Sequence, residues 1–204
     1  MNELYNACTL CPRKCHINRN LTTGICNNTS SIKVARSALH YFEEPSISGS
    51  NGSGTIFFSG CNLKCCYCQN KEISTNNFGI NISIKRLSEL MLELQSKKAN
   101  NINLVTPTHF VPSIIEAIKL ARENGLTIPI VYNTSGYESV DTIKLLDGYV
   151  DIYLTDFKYF DNKLGEDLSK VKNYFEVAST ALDEMYKQVS KNKFSSNGLM
   201  TKGI

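Results

Sequence analysis

A short apolar strand, Thr55-Ile56-Phe57-Phe58, runs directly into Ser59-Gly60-Cys61-Asn62-Leu63-Lys64-Cys65-Cys66-Tyr67-Cys68. Cys61, Cys65 and Cys68 fall in the pattern C-x3-C-x2-C, a spacing that lets one loop wrap three thiolates around a single metal centre. A cubane of four irons has four corners, so three protein thiolates leave one iron open to an outside ligand. Zinc also binds soft thiolates, but three close cysteines with no fourth ligand nearby make a poor closed tetrahedron. Cys66 is out of step with the spacing and reads as a packed or incidental thiol.

A second group of cysteines lies upstream: Cys8, Cys11 and Cys15 in Cys8-Thr9-Leu10-Cys11-Pro12-Arg13-Lys14-Cys15, and Cys26 after Thr23-Gly24-Ile25. Four thiolates form a closed set that suits a structural zinc or a second, fully ligated iron-sulfur cluster, with Gly24 permitting the turn before Cys26. His16 and Arg19 lie beside this set, and His16 reads as a surface residue because four thiolates already complete a tetrahedron. Eight cysteines in 204 residues, with no secretory leader at Met1-Asn2-Glu3-Leu4-Tyr5, fit a reducing, cytoplasmic setting better than a disulfide framework. No apolar run reaches membrane-spanning length. The 22 basic and 19 acidic residues are scattered, and without a Lys/Arg run there is no nucleic-acid arm.

The remainder alternates between strand and helix patterns. Ile32–Ala35 and Ala38–Phe42 read as short strand pieces, with His40 packed, and the Gly/Ser-rich stretch 46–54 reads as a loop entering the first barrel strand. That loop precedes a strand instead of opening a helix, which argues against a phosphate cradle. Ser83 caps a helix with Ile84, Leu87, Leu90, Met91 and Leu94 at helical spacing, and Asn101–Val105 is the next strand. Pro112 starts a helix that ends at Gly125, before the strand Ile128–Tyr132. A short helix over 140–146, a strand over 150–154 and a helix marked by Val177, Ala181, Met185 and Val189 follow. The expected fold is α/β: a partial parallel barrel over 51–204, about four strands strong, behind a cysteine-rich metal-binding segment and linker over 1–50. Such barrels place reactive groups after the C-terminal ends of their strands. The residues there are Thr106-Pro107-Thr108-His109, Asn133-Thr134-Ser135-Gly136-Tyr137 and Thr155-Asp156-Phe157-Lys158-Tyr159.

The C-x3-C-x2-C loop, with Tyr67 just before its last cysteine, resembles the signature of radical S-adenosylmethionine (SAM) enzymes. That resemblance implies a [4Fe-4S] cluster on Cys61, Cys65 and Cys68. SAM would be chelated at the open iron and cleaved reductively to a 5'-deoxyadenosyl radical, with Tyr67 along the adenine. Over nearly the whole chain the sequence is similar to pyruvate formate-lyase activating enzyme and its PflX-type relatives. It shares their Cys-Pro-Arg segment, the Gly-Ser-Gly-Thr-Ile-Phe-Phe-Ser-Gly-Cys-Asn run and the Asn-Ile-Asn-Leu-Val-Thr-Pro-Thr-His run. In that likeness Asp156 and Lys158 match an Asp-x-Lys motif contacting the ribose and carboxylate of SAM. Asn133 and Ser135 line the same site. The likeness further implies a glycyl-radical enzyme or another protein or peptide as target, and a flavodoxin or ferredoxin as electron donor.

Two positions depart from the activating enzymes. Thr106-Pro107-Thr108-His109 replaces the Gly-Gly-Glu motif that holds the methionine amino group, leaving that role to Thr106, Thr108, His109 or a carbonyl. Asn133 replaces an aspartate. The resemblance also calls for two further strands, so the chain reads as C-terminally incomplete, with the strand over 150–154 left as a bare barrel edge prone to self-association. The rival reading is a non-catalytic iron-sulfur or zinc module that binds a partner.

Overall fold

In the computed structural model, which describes residues 2–204, β1 (Lys33–His40) and β2 (Ser53–Phe58) form an antiparallel pair. The two expected strand pieces are one strand: a bulge between Val34 and Arg36 shifts the register and breaks the alternation that would have marked it as continuous. The stretch expected as a loop holds α1 (Pro45–Ser48), opened by Pro45 in its first turn, with Ile47 buried. The cysteine loop runs into α2 (Lys71–Ser74), and β3 (Ile80–Asn81) then pairs with the outer edge of β1.

From there the chain alternates as its periodicity predicts: α3 (Ile84–Ser96), β4 (Ile102–Val105), α4 (Val111–Glu123), β5 (Ile130–Thr134), α5 (Val140–Leu145) and β6 (Ile152–Thr155). Ser83 caps α3 by accepting from the Arg86 N–H at 3.1 Å. Two helices follow, α6 (Asn162–Ser169) and α7 (Tyr174–Val189), then a small hairpin of β7 (Lys193–Phe194) and β8 (Met200–Lys202). Helix α6 escapes a periodicity reading because Leu164 and Leu168 are its only large apolar residues and Gly165 sits between them. A Cβ on Gly165 would press to 3.1 Å on that of Tyr174, so the glycine is what lets α6 lie against α7.

The main sheet runs β3-β1-β2-β4-β5-β6, with β2, β4, β5 and β6 mutually parallel, and is a partial β/α barrel. The pleat separates two faces. Ile56, Phe58, Ile102, Leu104, Ile130 and Tyr132 face the helices, where they bury with Leu87, Met91, Ile114, Ile118 and Met185 in the main core. The opposite, concave face carries Phe57, Val105 and Asn133 near the strands' C-terminal ends. Deeper in the barrel, Ile47 of α1 packs on Val131 and Ile152 and plugs the other end. The segment 1–50 is therefore not separate from the barrel: its second half supplies both β1 and the plug.

The edge of β6 is not bare. Gly203 bridges to Ile152, its N–H donating to the Asp151 carbonyl at 3.0 Å and its carbonyl accepting from the Tyr153 N–H at 2.9 Å. The hairpin turns the chain back onto that edge, and its strands are too short to show alternation in sequence.

Candidate functional site

The cysteine loop leaves β2 through Gly60, whose φ of +80° lies in the left-handed region. A side chain there would run into the Cys26 carbonyl and the Asn28 amide. The loop is held from the far side by the end of α6: the Lys64 N–H donates to the Ser169 carbonyl and the Cys66 N–H to Leu168, at 2.9 and 2.8 Å. The Ser169 hydroxyl donates to Cys65 Sγ at 2.8 Å, and Cys68 Sγ lies 3.1 Å from the Ser74 hydroxyl. Cys61, Cys65 and Cys68 all line one cleft, whereas Cys66 is exposed outside it. Burial pushes the Cys61 thiol up to about 11, so its thiolate form calls for a positive centre beside it. Among the described residues no three His, Cys, Asp or Glu side chains converge as one bare ion requires. Three thiols around a roomy cleft, with no fourth cysteine among the described residues that line it, suit a cluster with an open corner better than a closed zinc tetrahedron.

That cleft encloses about 670 Å³ and collects most of the polar strand ends. Tyr67 stands at its rim, its hydroxyl bonded to that of Tyr159. Thr106 follows β4 with a left-handed φ of +57° and donates its N–H to the Asn133 carbonyl at 2.9 Å. Asn133, Thr134 and Ser135 come from the end of β5, and Asp156 and Lys158 from beyond β6, where Lys158 Nζ donates to Asp156 at 2.5 Å. The parallel arrangement is what brings these ends together.

His109 does not join them. It is buried with Nε2 2.8 Å from the Ser59 carbonyl, and burial, reinforced by the Arg19 charge, lowers its pKa to about 3. The neutral imidazole bonds the backbone carbonyl through Nε2, leaves Nδ1 buried without a partner, and does not line the cleft. Thr108 is buried as well, its hydroxyl given to Glu138 at 2.5 Å. Of the three side chains proposed for the amino group, Thr106 alone lines the cleft.

Sequence reasoning missed Glu138. It lies buried under the cleft, accepting from Thr108, Thr134 and, at 3.3 Å, the Tyr132 hydroxyl, and so ties the turns after β4 and β5 together. Burial raises its carboxyl to about 7. Nothing in the sequence distinguishes it from a surface glutamate. Arg36, His40 and Glu43 were also missed as cleft residues, because β1 was not expected to form a wall.

Upstream, Cys8, Cys11 and Cys26 are buried and Cys15 is half-buried, while the neighbouring His16 is exposed, the surface residue the sequence suggested. The Cys15 and Cys26 sulfurs flank Gly24, and Cys11 and Cys26 each lie close enough to feel other thiols of the set. Burial raises Cys11 to about 12. Arg19 is the centre of this segment. It is 1% exposed, donates to the carbonyls of Asn28, Thr29 and His109 at 3.1, 2.6 and 2.6 Å, and stacks over Tyr5 and Phe110. Asn28 Nδ2 donates both to the Cys26 carbonyl and to that of Ser59, and Arg13 Nε to that of Asn62 at 2.9 Å. The two cysteine groups are thus neighbours across a hydrogen-bonded seam.

The family model of the Radical SAM superfamily matches residues 55–203. An uncharacterized protein of Methanocaldococcus jannaschii is 37% identical over 183 residues, an overlap covering 86% of this chain and 52% of that protein. The chain therefore spans about half the length of this curated relative. Among the described residues, no helix is long and apolar enough to cross a membrane.

Proposed function

This chain belongs to the radical SAM superfamily, and on that premise we propose that it cleaves SAM reductively and uses the resulting radical to abstract hydrogen from a target. The observation that carries the reading is the convergence of Cys61, Cys65 and Cys68 with the ends of β4, β5 and β6 on one cleft. A [4Fe-4S] cluster with bound SAM supplies the one-electron cleavage and the 5'-deoxyadenosyl radical. The protein's share is position and exclusion of water. Cys61, Cys65 and Cys68 would hold the cluster and leave one iron for SAM. Tyr67, at the rim, would receive the adenine. Thr106 would take the amino group through its hydroxyl or carbonyl, in place of the acidic residue of the activating enzymes. Asp156 and Lys158 would give up their mutual ion pair for the ribose and carboxylate of SAM, with Asn133 and Ser135 completing the wall. Glu138 keeps the turns carrying these groups in register from below.

The upstream quartet of Cys8, Cys11, Cys15 and Cys26 we assign as a second, closed site for zinc or an iron-sulfur cluster. Two of the four, Cys11 and Cys26, are buried thiols with raised pKa that feel the charges of the others, which supports it, since a metal relieves the cost of ionising them. The target in this reading is a glycyl-radical enzyme or another protein or peptide, with a flavodoxin- or ferredoxin-like electron donor. Eight free thiols accord with a cytoplasmic setting. The test is anaerobic reconstitution with iron and sulfide, reduction, and quantitation of 5'-deoxyadenosine. Turnover is expected, and a protein that binds iron yet leaves SAM intact would favour a non-catalytic binding module.

A further inference from the structure

Helix α6 ends at Ser169, whose hydroxyl is turned away from its own helix. A serine in a helix can return its hydroxyl to the carbonyl four residues back, but this one, 0% exposed, donates to Cys65 Sγ at 2.8 Å. The contact is shorter than those at the other two sulfurs of the cleft, 3.4 Å from the Leu63 N–H to Cys61 and 3.1 Å between Ser74 and Cys68. Behind Ser169 stands Tyr159, buried edge-on against Tyr174, with its hydroxyl 2.5 Å from that of Ser169. The Tyr159 hydroxyl in turn meets that of Tyr67, which is 51% exposed at the rim. Each hydroxyl has one proton to give, and that fixes the direction of the bonds. Ser169 spends its proton on the sulfur, so Tyr159 must donate to Ser169. Tyr159 has then spent its own, so Tyr67 must donate to Tyr159. The result is a one-way donor chain from the rim of the cleft to a cysteine sulfur, in which each link polarises the next. Packing requires neither buried hydroxyl, since phenylalanine would keep the ring of Tyr159 and alanine would fit in place of Ser169.

We propose that Ser169 and Tyr159 are positioning residues that set the reduction potential of the centre held on Cys65, with Tyr67 as the outer end of their chain. The inference rests on Cys65 being a cluster ligand and names what tunes the one-electron step there. One electron from a flavodoxin- or ferredoxin-like donor is added, no bond in the chain breaks, and Ser169 keeps its proton. The added electron puts more negative charge on the sulfur, and a donated hydrogen bond strengthens with the charge of its acceptor. The chain therefore stabilises the reduced form more than the oxidised form and raises the potential, hydrogen bonds to the sulfurs being among the terms that set it. This role is separate from holding the loop. The loop is anchored to α6 by backbone bonds, from the Lys64 N–H to the Ser169 carbonyl and from the Cys66 N–H to that of Leu168, which a change of side chain leaves in place.

The experiment is a redox titration of the full chain, reconstituted anaerobically with iron and sulfide and followed by its visible absorbance, comparing the wild type with Ser169→Ala, Tyr159→Phe and Tyr67→Phe at matched iron content. Ser169→Ala is expected to shift the reduction equilibrium about tenfold toward the oxidised form, a fall of ~59 mV for one electron. Tyr159→Phe should give a smaller fall in the same direction and Tyr67→Phe a smaller one still, because each acts through the link inside it. Electron-nuclear double resonance of the reduced protein in H2O and D2O gives a second signature: one exchangeable proton coupled to the centre is lost in Ser169→Ala and kept in Tyr159→Phe. Unchanged potentials, a fall confined to Ser169→Ala, or the same proton couplings in wild type and Ser169→Ala would overturn the chain. If Ser169→Ala takes up no iron, Tyr159→Phe decides, a fall supporting the chain and an unchanged value overturning it. Cleavage of SAM by the wild type is measured in parallel. Cleavage with unchanged potentials removes the tuning alone, whereas graded potentials in a protein that leaves SAM intact remove the functional reading and leave the tuning standing.

Discussion

Cys65 and Cys66 are adjacent, yet one lines the cleft with its sulfur held by Ser169 and the other is exposed outside it. Cys65→Ala should therefore abolish both the visible absorbance of the reconstituted cluster and 5'-deoxyadenosine formation, while Cys66→Ala leaves both intact. Cofactor cleavage surviving in the Cys65→Ala protein would sink the ligand assignment. Glu138 makes a different kind of prediction. Its carboxyl sits at about 7 in the folded protein against an ordinary 4.5, so the fold binds its proton more tightly than the unfolded chain does. Its contribution to stability is then complete below the ordinary value and declines as pH rises through about 7, at up to ~1.4 kcal/mol per pH unit. Glu138→Gln should flatten the wild-type fall in urea midpoint between about pH 5 and pH 7. Parallel curves for the two proteins would mean that another group governs that window. No local pattern announces Glu138 or the burial of His109, because each depends on which face of a strand or turn meets the rest of the molecule.

Ahead of β1, the described residues contain no strand and a single helical turn, Asn2–Tyr5. What seats this segment is Arg19. Replacing Arg19 with Met removes its bonds to the carbonyls of Asn28, Thr29 and His109, a loss on the order of 3 kcal/mol by the usual worth of charge-assisted hydrogen bonds. The Arg19→Met protein should melt at lower temperature and be cut by protease around the exposed Leu21 while the barrel survives. An unchanged melt and cleavage pattern would show that the segment is seated by other contacts. Within the same segment, Cys11→Ala should lower the metal content without removing SAM binding at the other cysteines, as metal analysis beside equilibrium dialysis would reveal. Concurrent loss of both in a folded protein would contradict two separate sites. The helices were legible to the extent that they bury a continuous stripe: α3, α4 and α7 stand where periodicity puts them. Helix α6, with its central glycine, and the bulged β1 did not present a regular repeat.

At the scale of the whole molecule, the sheet has one antiparallel side, β3 and β1, and one parallel side closed at β6 by the returning tail. Removing residues 193–204 would strip the hydrogen bonds that Gly203 makes to β6 and part of the apolar packing around Ile152. The shortened chain should self-associate at concentrations where the 204-residue chain does not, because exposed strand edges pair with one another. Sedimentation of the two side by side decides it, and identical behaviour would mean that the tail does not protect this edge. The sequence alone was sufficient for the parallel half of the barrel and for the grouping of the cysteines, since periodic burial and ligand spacing are local properties that a chain displays residue by residue. Tertiary structure alone decided that β1 and Glu43 form a cleft wall, that α1 plugs the barrel and that His109 turns inward. Those outcomes depend on contacts between residues far apart in the chain, where packing against a distant partner, and not local propensity, selects which side of an element is buried.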